Sequence, residues 1–412
     1  MFGQRTFAHW LAPLAATGAL LALPATAAAH HHGRHQEGPG RAAFYTADNN
    51  PAGNNVLVFS RSHDGLLSQT ATVSTGGIGI SSTPPFGFPI VDSSGSINLT
   101  HGGKLLFVVN AGDNTISSFR VTEHGLQLAD RASSGGELPI SLTSHGHVLY
   151  VLNGLSNNIS GLRFTGNGHL DPIAGSTQSL TASSVDAPAQ IGFSPDGRTL
   201  VVTIRTVGAN GSIDTFRVEG HGVAGPAQAV ASDAPLPFGF AFTRRGVLEV
   251  TNAGLVNSLI PDIFDPTKFV GSTSSWSVSN SGALTLLGNT PSGGRALCWI
   301  AITKNDRYAF ASNTLSDTPA DLFTGTNAIS EYKIAPDGTL TLLGNASSGP
   351  GTPGDVALSR DSKYLYVTNP AAPVGPNTSH IDVFKVGGDG SLTLIQSTPA
   401  GLPGSISGAA AH

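Results

Sequence analysis

A single cysteine, Cys298, and a single methionine occur in 412 residues. One cysteine excludes an intramolecular disulfide, so stability has to come from packing. Cys298 sits in the apolar run Leu297-Cys298-Trp299-Ile300 with no His–Asp pair beside it. It is expected as a buried small hydrophobe rather than a nucleophile. Only 11% of residues are charged, the formal net charge is −5, and no run of basic residues occurs. That balance leaves no footprint for nucleic acid or an anionic membrane. No Gly-x-Ser-x-Gly elbow or Ser-His-Asp order is present, and no His-Glu-x-x-His or Cys-x-x-Cys metal motif. Beyond residue 29 no stretch is apolar for long enough to cross a bilayer, and no amphipathic helix pattern is found.

What is present begins with a targeting segment. Arg5 precedes an apolar run from Trp10 to Leu23, and Ala25-Thr26-Ala27-Ala28-Ala29 follows. This order predicts a cleaved secretory signal over 1–29 and a secreted protein, extracellular or periplasmic. The tail that follows, 30–41, starts His30-His31-His32-Gly33-Arg34-His35. Cleavage after Ala27, Ala28 or Ala29 leaves a histidine third in each case. A free amine, two amides and that imidazole make a square-planar site suited to Cu(II) or Ni(II), with His35 adding to the cluster. The alternative is a solvated tail with incidental affinity. No other cofactor is expected.

Gly (52) and Pro (26) are abundant, as many short strands joined by tight turns require. One pattern recurs through the mature chain: an apolar strand, Ser or Thr at a tight turn, a second apolar strand closing on Asn, then a third and a fourth strand. Ile191-Gly-Phe-Ser-Pro-Asp-Gly-Arg-Thr-Leu-Val-Val and Val356-Ala-Leu-Ser-Arg-Asp-Ser-Lys-Tyr-Leu-Tyr-Val-Thr-Asn369 are clear copies. The turn residues Thr100, Thr143, Ser194, Thr243, Thr303 and Ser359 are spaced by 43, 51, 49, 60 and 56 residues. Such periods fit four-stranded propeller blades. Residues 42–75 lack a first strand, and Pro403-Gly404-Ser405-Ile406-Ser407-Gly408 supplies one. The expectation is an all-β, seven-bladed β-propeller over 42–408, its first blade closed by the C-terminal strand. Closure of that kind removes two exposed sheet edges. Insertions at about 254–271, 315–327 and 370–379 all fall between second and third strands, hence on one face.

At Tyr366-Val367-Thr368-Asn369 and Ser194-Pro195-Asp196-Gly197 the chain resembles YVTN-type propellers. More broadly, over 42–408, it resembles the seven-bladed lactonase family that includes 6-phosphogluconolactonase and carboxymuconate cyclase. The resemblance implies the fold and a lactone-hydrolysing or lactone-forming activity. Enzymes of that family carry a His-x-His before one first strand, then an Arg before the next first strand and a Glu after its second strand. Those registers here hold Ala187-Pro188-Ala189, Leu236-Pro237-Phe238-Gly239 and Ala253.

The candidate site is therefore argued from this chain's own residues at the channel mouth on the insertion face. The strand-end asparagines Asn252, Asn313 and Asn369 offer donors and acceptors, although a residue that recurs in every blade also suits a local backbone role. Arg205 replaces the recurring pattern in its blade, and Arg295 lies in the connection before Cys298. Both suit a carboxylate or phosphate. Gln190, Trp299 and Asp355 head first strands. Asp355 is the candidate base, with Arg205 beside it as the second candidate catalytic group. Two functions stand: a propeller binding a small molecule, glycan or surface protein, and a lactone hydrolase or cyclase-like enzyme with a rebuilt site. A monomer, without nucleic acid or a membrane span, is expected.

Overall fold

The structure, a computed structural model, describes residues 43–80, 93–183, 186–206, 209–254, 270–315, 326–370, 379–399, 402–403 and 405–412. The expected signal and His-rich tail, and most of the three expected insertions, lie outside these residues. Among the described residues no helix is long and apolar enough to cross a membrane.

Antiparallel strands form six sheets. The first has the order Ser407–Ala411, Ala43–Ala47, Asn55–Arg61, Leu67–Ser74. The second runs Ile97–Leu99, Leu105–Asn110, Thr115–Thr122, Gly125–Ser133. In the third, Pro139–His145, Val148–Asn153 and Asn158–Phe164 are followed by an outer edge split into Leu170–Pro172 and Gln178–Ser179. Asp186–Phe193, Thr199–Thr206, Ser212–Arg217 and Gln228–Ala231 make the fourth. The sixth is Val356–Leu358, Tyr364–Asn369, His380–Val386, Leu392–Ser397.

The fifth sheet has seven strands. Its N-terminal half is Pro237–Phe242, Val247–Asn252 and Val270–Val278, and its C-terminal half is Tyr308–Leu315, Thr326–Ile334 and Leu340–Pro350. Between them Leu284–Ile302 serves both. It pairs with Val270–Val278 through residues 284–295 and with Tyr308–Leu315 through 295–302. The sequence divides this stretch into an outer strand and the next inner strand. The chain instead stays extended and exchanges one partner for the other at Arg295.

Each sheet packs face to face with its neighbours, which explains the uninterrupted apolar second strands. Leu105–Asn110 is buried along its whole length. Its alternate residues serve different interfaces, as the two-residue period of a strand requires. Leu106 and Val108 meet Tyr45, Val58 and Ala410 of the first sheet. Leu105, Phe107 and Val109 meet Leu142, Val151 and Phe164 of the third. The same arrangement recurs around the molecule. Phe44, Leu57 and Phe59 then pack against Tyr366, Ile381 and Val383 of the sixth sheet, so the ring is closed.

Closure is completed by the C-terminal strand, as expected, but over Ser407–Ala411 rather than 403–408. Ser405 is held outside the ladder, its hydroxyl donating to the Asp48 carbonyl at 2.5 Å, while Gly408 takes φ +78° at an irregularity in the register. The recurring Ser/Thr also has a physical reason. Ser194, Thr243, Thr303 and Ser359 each accept, at 3.0–3.1 Å, the N–H of the residue that opens the second strand. Thr143 departs from that register: it lies inside Pro139–His145 and accepts the Phe193 N–H at 3.3 Å.

Candidate functional site

At the end of the ring where the inner strands begin, residues 93–95 cross the axis. The Ser93 hydroxyl donates to the Ile140 carbonyl at 2.5 Å, and the Ser93 carbonyl accepts the Trp299 indole N–H at 3.0 Å. Ser94 N–H donates to the Ala189 carbonyl at 3.1 Å, and the Ser94 carbonyl accepts the Ser141 hydroxyl at 2.6 Å. Gly95 N–H reaches the Asp355 carboxylate, which also accepts Gly408 N–H at 2.8 Å. Four parts of the ring are thereby tied to one short segment: the third, fourth and sixth sheets and the C-terminal half of the fifth.

Most residues expected at the mouth are brought to it and used internally. Asp355 is buried, and burial pushes its pKa up to about 7 against the two amide donors that favour the charged form. Gln190 makes a two-way bridge to the next sheet's backbone, accepting Phe240 N–H at 2.7 Å and donating to the Phe240 carbonyl at 3.0 Å. Arg205 is buried, donates to the Ala187 and Pro188 carbonyls at 3.2 and 3.4 Å, and lies 4.7 Å from the Phe238 ring centroid. Phe238 in turn meets Trp299 edge-on at 4.8 Å.

Around them Ala189, Leu236, Phe238, Ala253, Ala296, Cys298, Trp299 and Leu315 form one apolar cluster. Ala189, Leu236, Phe238 and Ala253 belong to the stretches where the sequence departs from the lactonase pattern. Cys298 is buried, as expected. Three non-glycine residues heading inner strands take left-handed backbone angles: Leu138 (φ 59°), Leu236 (φ 55°) and Ala296 (φ 52°). Such strain costs on the order of 1 kcal/mol each and is kept where surrounding packing dictates it.

The strand-end asparagines have a shared structural part. Asn252 and Asn313 donate to Ser274 and Ser330 hydroxyls at 2.7 and 2.8 Å, and Asn369 donates to Asp382 at 3.2 Å. A Cβ placed on Gly294 would come within 2.5 Å of the Asn313 side chain, so this contact requires glycine. The sequence did not single out His380, whose Nε2 lies 3.3 Å from Asp382 Oδ1 in a buried pair.

Asn313 differs from its repeats in what surrounds it. With Arg295, Asn327, Asn345, Ser347 and Leu315 it lines an off-axis cavity of about 210 Å3 in the C-terminal half of the fifth sheet. Arg295, Asn313 and Asn327 are all more than nine-tenths buried. The Oδ1 atoms of Asn313 and Asn327 have no hydrogen-bond partner among the described residues. Asn153 and Asn369 also leave Oδ1 unpartnered, so the repeat position alone does not discriminate. Two open acceptors and a guanidinium around one cavity do. Asn327 bounds the expected 315–327 insertion, and that was its only signal in the sequence.

Among the described residues no group of three His, Cys, Asp or Glu side chains is placed to hold a metal. The candidate metal ligands His30, His31, His32 and His35 lie outside the described residues.

A closed ring of radially packed antiparallel sheets around a central axis defines a β-propeller. The family profile described as "Lactonase, 7-bladed beta-propeller" matches residues 43–185, 140–251 and 279–401. The chain belongs to this lactonase family. Among curated proteins none matches it in sequence. Solved structures share the fold at low identity. A candidate 6-phosphogluconolactonase of Bacteroides uniformis is 17% identical, with TM-score 0.68, covering 90% of this chain and 99% of that one. A Lactobacillus plantarum protein is 13% identical, with TM-score 0.66 and coverage of 90% and 98%. The periplasmic gluconolactonase of Pseudomonas aeruginosa is 17% identical, with TM-score 0.64 and coverage of 89% and 98%.

Proposed function

We propose that this chain is a secreted, seven-bladed, ligand-binding member of the lactonase family, and that it holds a small polar molecule in the off-axis cavity instead of hydrolysing a lactone on the axis. The blade count takes the seven-stranded sheet as two blades sharing the strand Leu284–Ile302, which with the other five sheets makes seven. One observation carries the binding function. The axial mouth is lined by apolar side chains and by polar groups already bonded to the chain, whereas two residues of the off-axis cavity wall, Asn313 and Asn327, have buried Oδ1 acceptors with no partner among the described residues.

Buried acceptors left open are costly until a donor arrives, so the cavity favours a ligand that brings hydroxyl or N–H groups. Arg295 on its wall adds a guanidinium suited to a carboxylate or a hydroxyl oxygen. About 210 Å3 is below the usual range of roughly 300–1,000 Å3 for ligand pockets, which suits a metabolite rather than a polymer.

The second function, lactone hydrolysis by a rebuilt site, draws on the likeness to the gluconolactonase of Pseudomonas aeruginosa and the candidate 6-phosphogluconolactonase of Bacteroides uniformis, and on Asp355, whose pKa near 7 suits a general base. Against it, the Asp355 carboxylate is buried and engaged by the Gly95 and Gly408 N–H groups.

The deciding experiment uses the mature protein in calorimetric titrations with polyols, hydroxy acids and aldonolactones, and in a parallel proton-release assay on the same lactones. Binding weakened at least tenfold in Asn327→Ala, without turnover, is the expected result. Turnover that disappears in Asp355→Asn and persists in Asn327→Ala would replace the binding function with the enzymatic one.

A further inference from the structure

The turn end of the ring carries a second cavity, of about 520 Å3. In the fourth and sixth sheets and the C-terminal half of the fifth, the two innermost strands are joined by tight turns held by Ser194, Thr303 and Ser359. The first sheet has no such turn. Its two innermost strands, Ser407–Ala411 and Ala43–Ala47, lie far apart in sequence and pair without one. His412, just past Ser407–Ala411, lies over Gly103 of the second sheet. A Cβ at Gly103 would overlap the imidazole ring, and its φ of +66° also favours glycine.

The cavity at this seam is lined by Lys104 and Arg120 of the second sheet, Arg360 of the sixth and His412 of the first, with Glu123 the one acidic side chain on its wall. Among the described residues none of the three cations lies in an ion pair. The hydrogen bond from Arg120 Nη2, at 2.8 Å, goes to the neutral Gln127 Oε1. Elsewhere Arg61, Arg131 and Lys363 each face a carboxylate at 3.9, 3.0 and 3.3 Å. Three exposed cations from two separate sheets thus face one concavity against a single acidic side chain, which gives it a local positive potential.

We infer that this seam cavity is an anion site for a small molecule with two or more acidic groups, either a phosphate or a polycarboxylate. Arg120 and Arg360 offer planar donor pairs to its oxygens, and Lys104 supplies a mobile ammonium. The site is independent of the off-axis cavity and of the function proposed for it.

The test is calorimetric titration of the full mature chain with inorganic phosphate and, separately, with citrate, at 25 and 200 mM NaCl. The double variant Lys104→Ala/Arg360→Ala is compared with Asn327→Ala. Both Lys104 and Arg360 are exposed, so the double variant retains the fold, and its melting temperature verifies this. Expected are binding of at least one anion, affinity reduced at least tenfold in the double variant, weakening with salt, and no change in Asn327→Ala. The anion that binds separates phosphate from polycarboxylate. Equal affinity in the double variant, or no binding of either anion at millimolar concentration, overturns the proposal. Capture of a sulfated polysaccharide with neither small anion bound would also overturn it, in favour of a macromolecular partner.

Discussion

Two places in this ring gather polar side chains, and they differ in what is left over. At the axial mouth, Gln190, Trp299 and Asp355 spend hydrogen-bonding capacity on backbone groups of other sheets, and buried Arg205 donates to the strand beside it. In the off-axis cavity, Asn313 and Asn327 each use Nδ2 on the protein and keep Oδ1 unpartnered among the described residues. Convergence of polar residues is therefore weak evidence of a binding site. Unspent hydrogen-bonding capacity beside open volume is stronger evidence, because a buried unsatisfied polar group costs about 1–3 kcal/mol until something binds it.

The comparison can be broken most severely by removing the closing strand. Deleting residues 401–412 takes away the ladder partner of Ala43–Ala47 and the Gly408 N–H that Asp355 accepts. Loss of cooperative folding in thermal denaturation is expected; an unchanged melting temperature would refute closure by this strand. Next in size, Trp299→Ala removes a buried ring that meets Phe238 and bonds the axial segment, at a cost of about 3–5 kcal/mol. Chemical denaturation should register that loss while ligand affinity at the off-axis cavity, measured on the folded fraction, stays unchanged.

A pH effect of intermediate size sharpens the same contrast. Burial pushes Asp355 up to about 7 and Glu249 up to about 8. Both are acids whose folded pKa lies above the unfolded value. Their favourable contribution is complete below pH about 4, declines as pH rises, and is gone above about 7 for Asp355 and about 8 for Glu249. Glu249→Gln should flatten the fall in stability between pH 5 and 8, measured by urea denaturation across that window. A slope equal to that of the unaltered protein would contradict the assignment. The smallest change in stability is expected at the cavity rim. Asn345→Ala is exposed and should shift stability by less than about 0.5 kcal/mol, while weakening ligand binding severalfold in calorimetry.

Much of the ring was legible in the residues because the repeat is written in short-range chemistry. Ser194 and Ser359 mark turns since their hydroxyls accept the N–H that opens the next strand. Asn313 and Asn369 mark strand ends since their side-chain amides bond the neighbouring third strand. Thr143 misled because the same residue type inside a strand can serve an adjacent sheet. The role of Asp355 was not legible, since Gly408 lies 53 residues after it and Gly95 far earlier in the chain, and the three meet only when the ring closes.

The sequence by itself determined an all-β repeat, its turn positions and the C-terminal strand that closes the first sheet. Each depends on local patterns with a two-residue period or on a residue's own chemistry. The tertiary structure alone decided which polar groups remain open. Hydrogen-bond partners such as Ser93 for Trp299, or Gly351 for Asn327, come from connections whose position along the chain carries no signal of their proximity. Whether a buried acceptor is satisfied is a property of the closed ring, and that property separates the occupied axis from the cavity beside it.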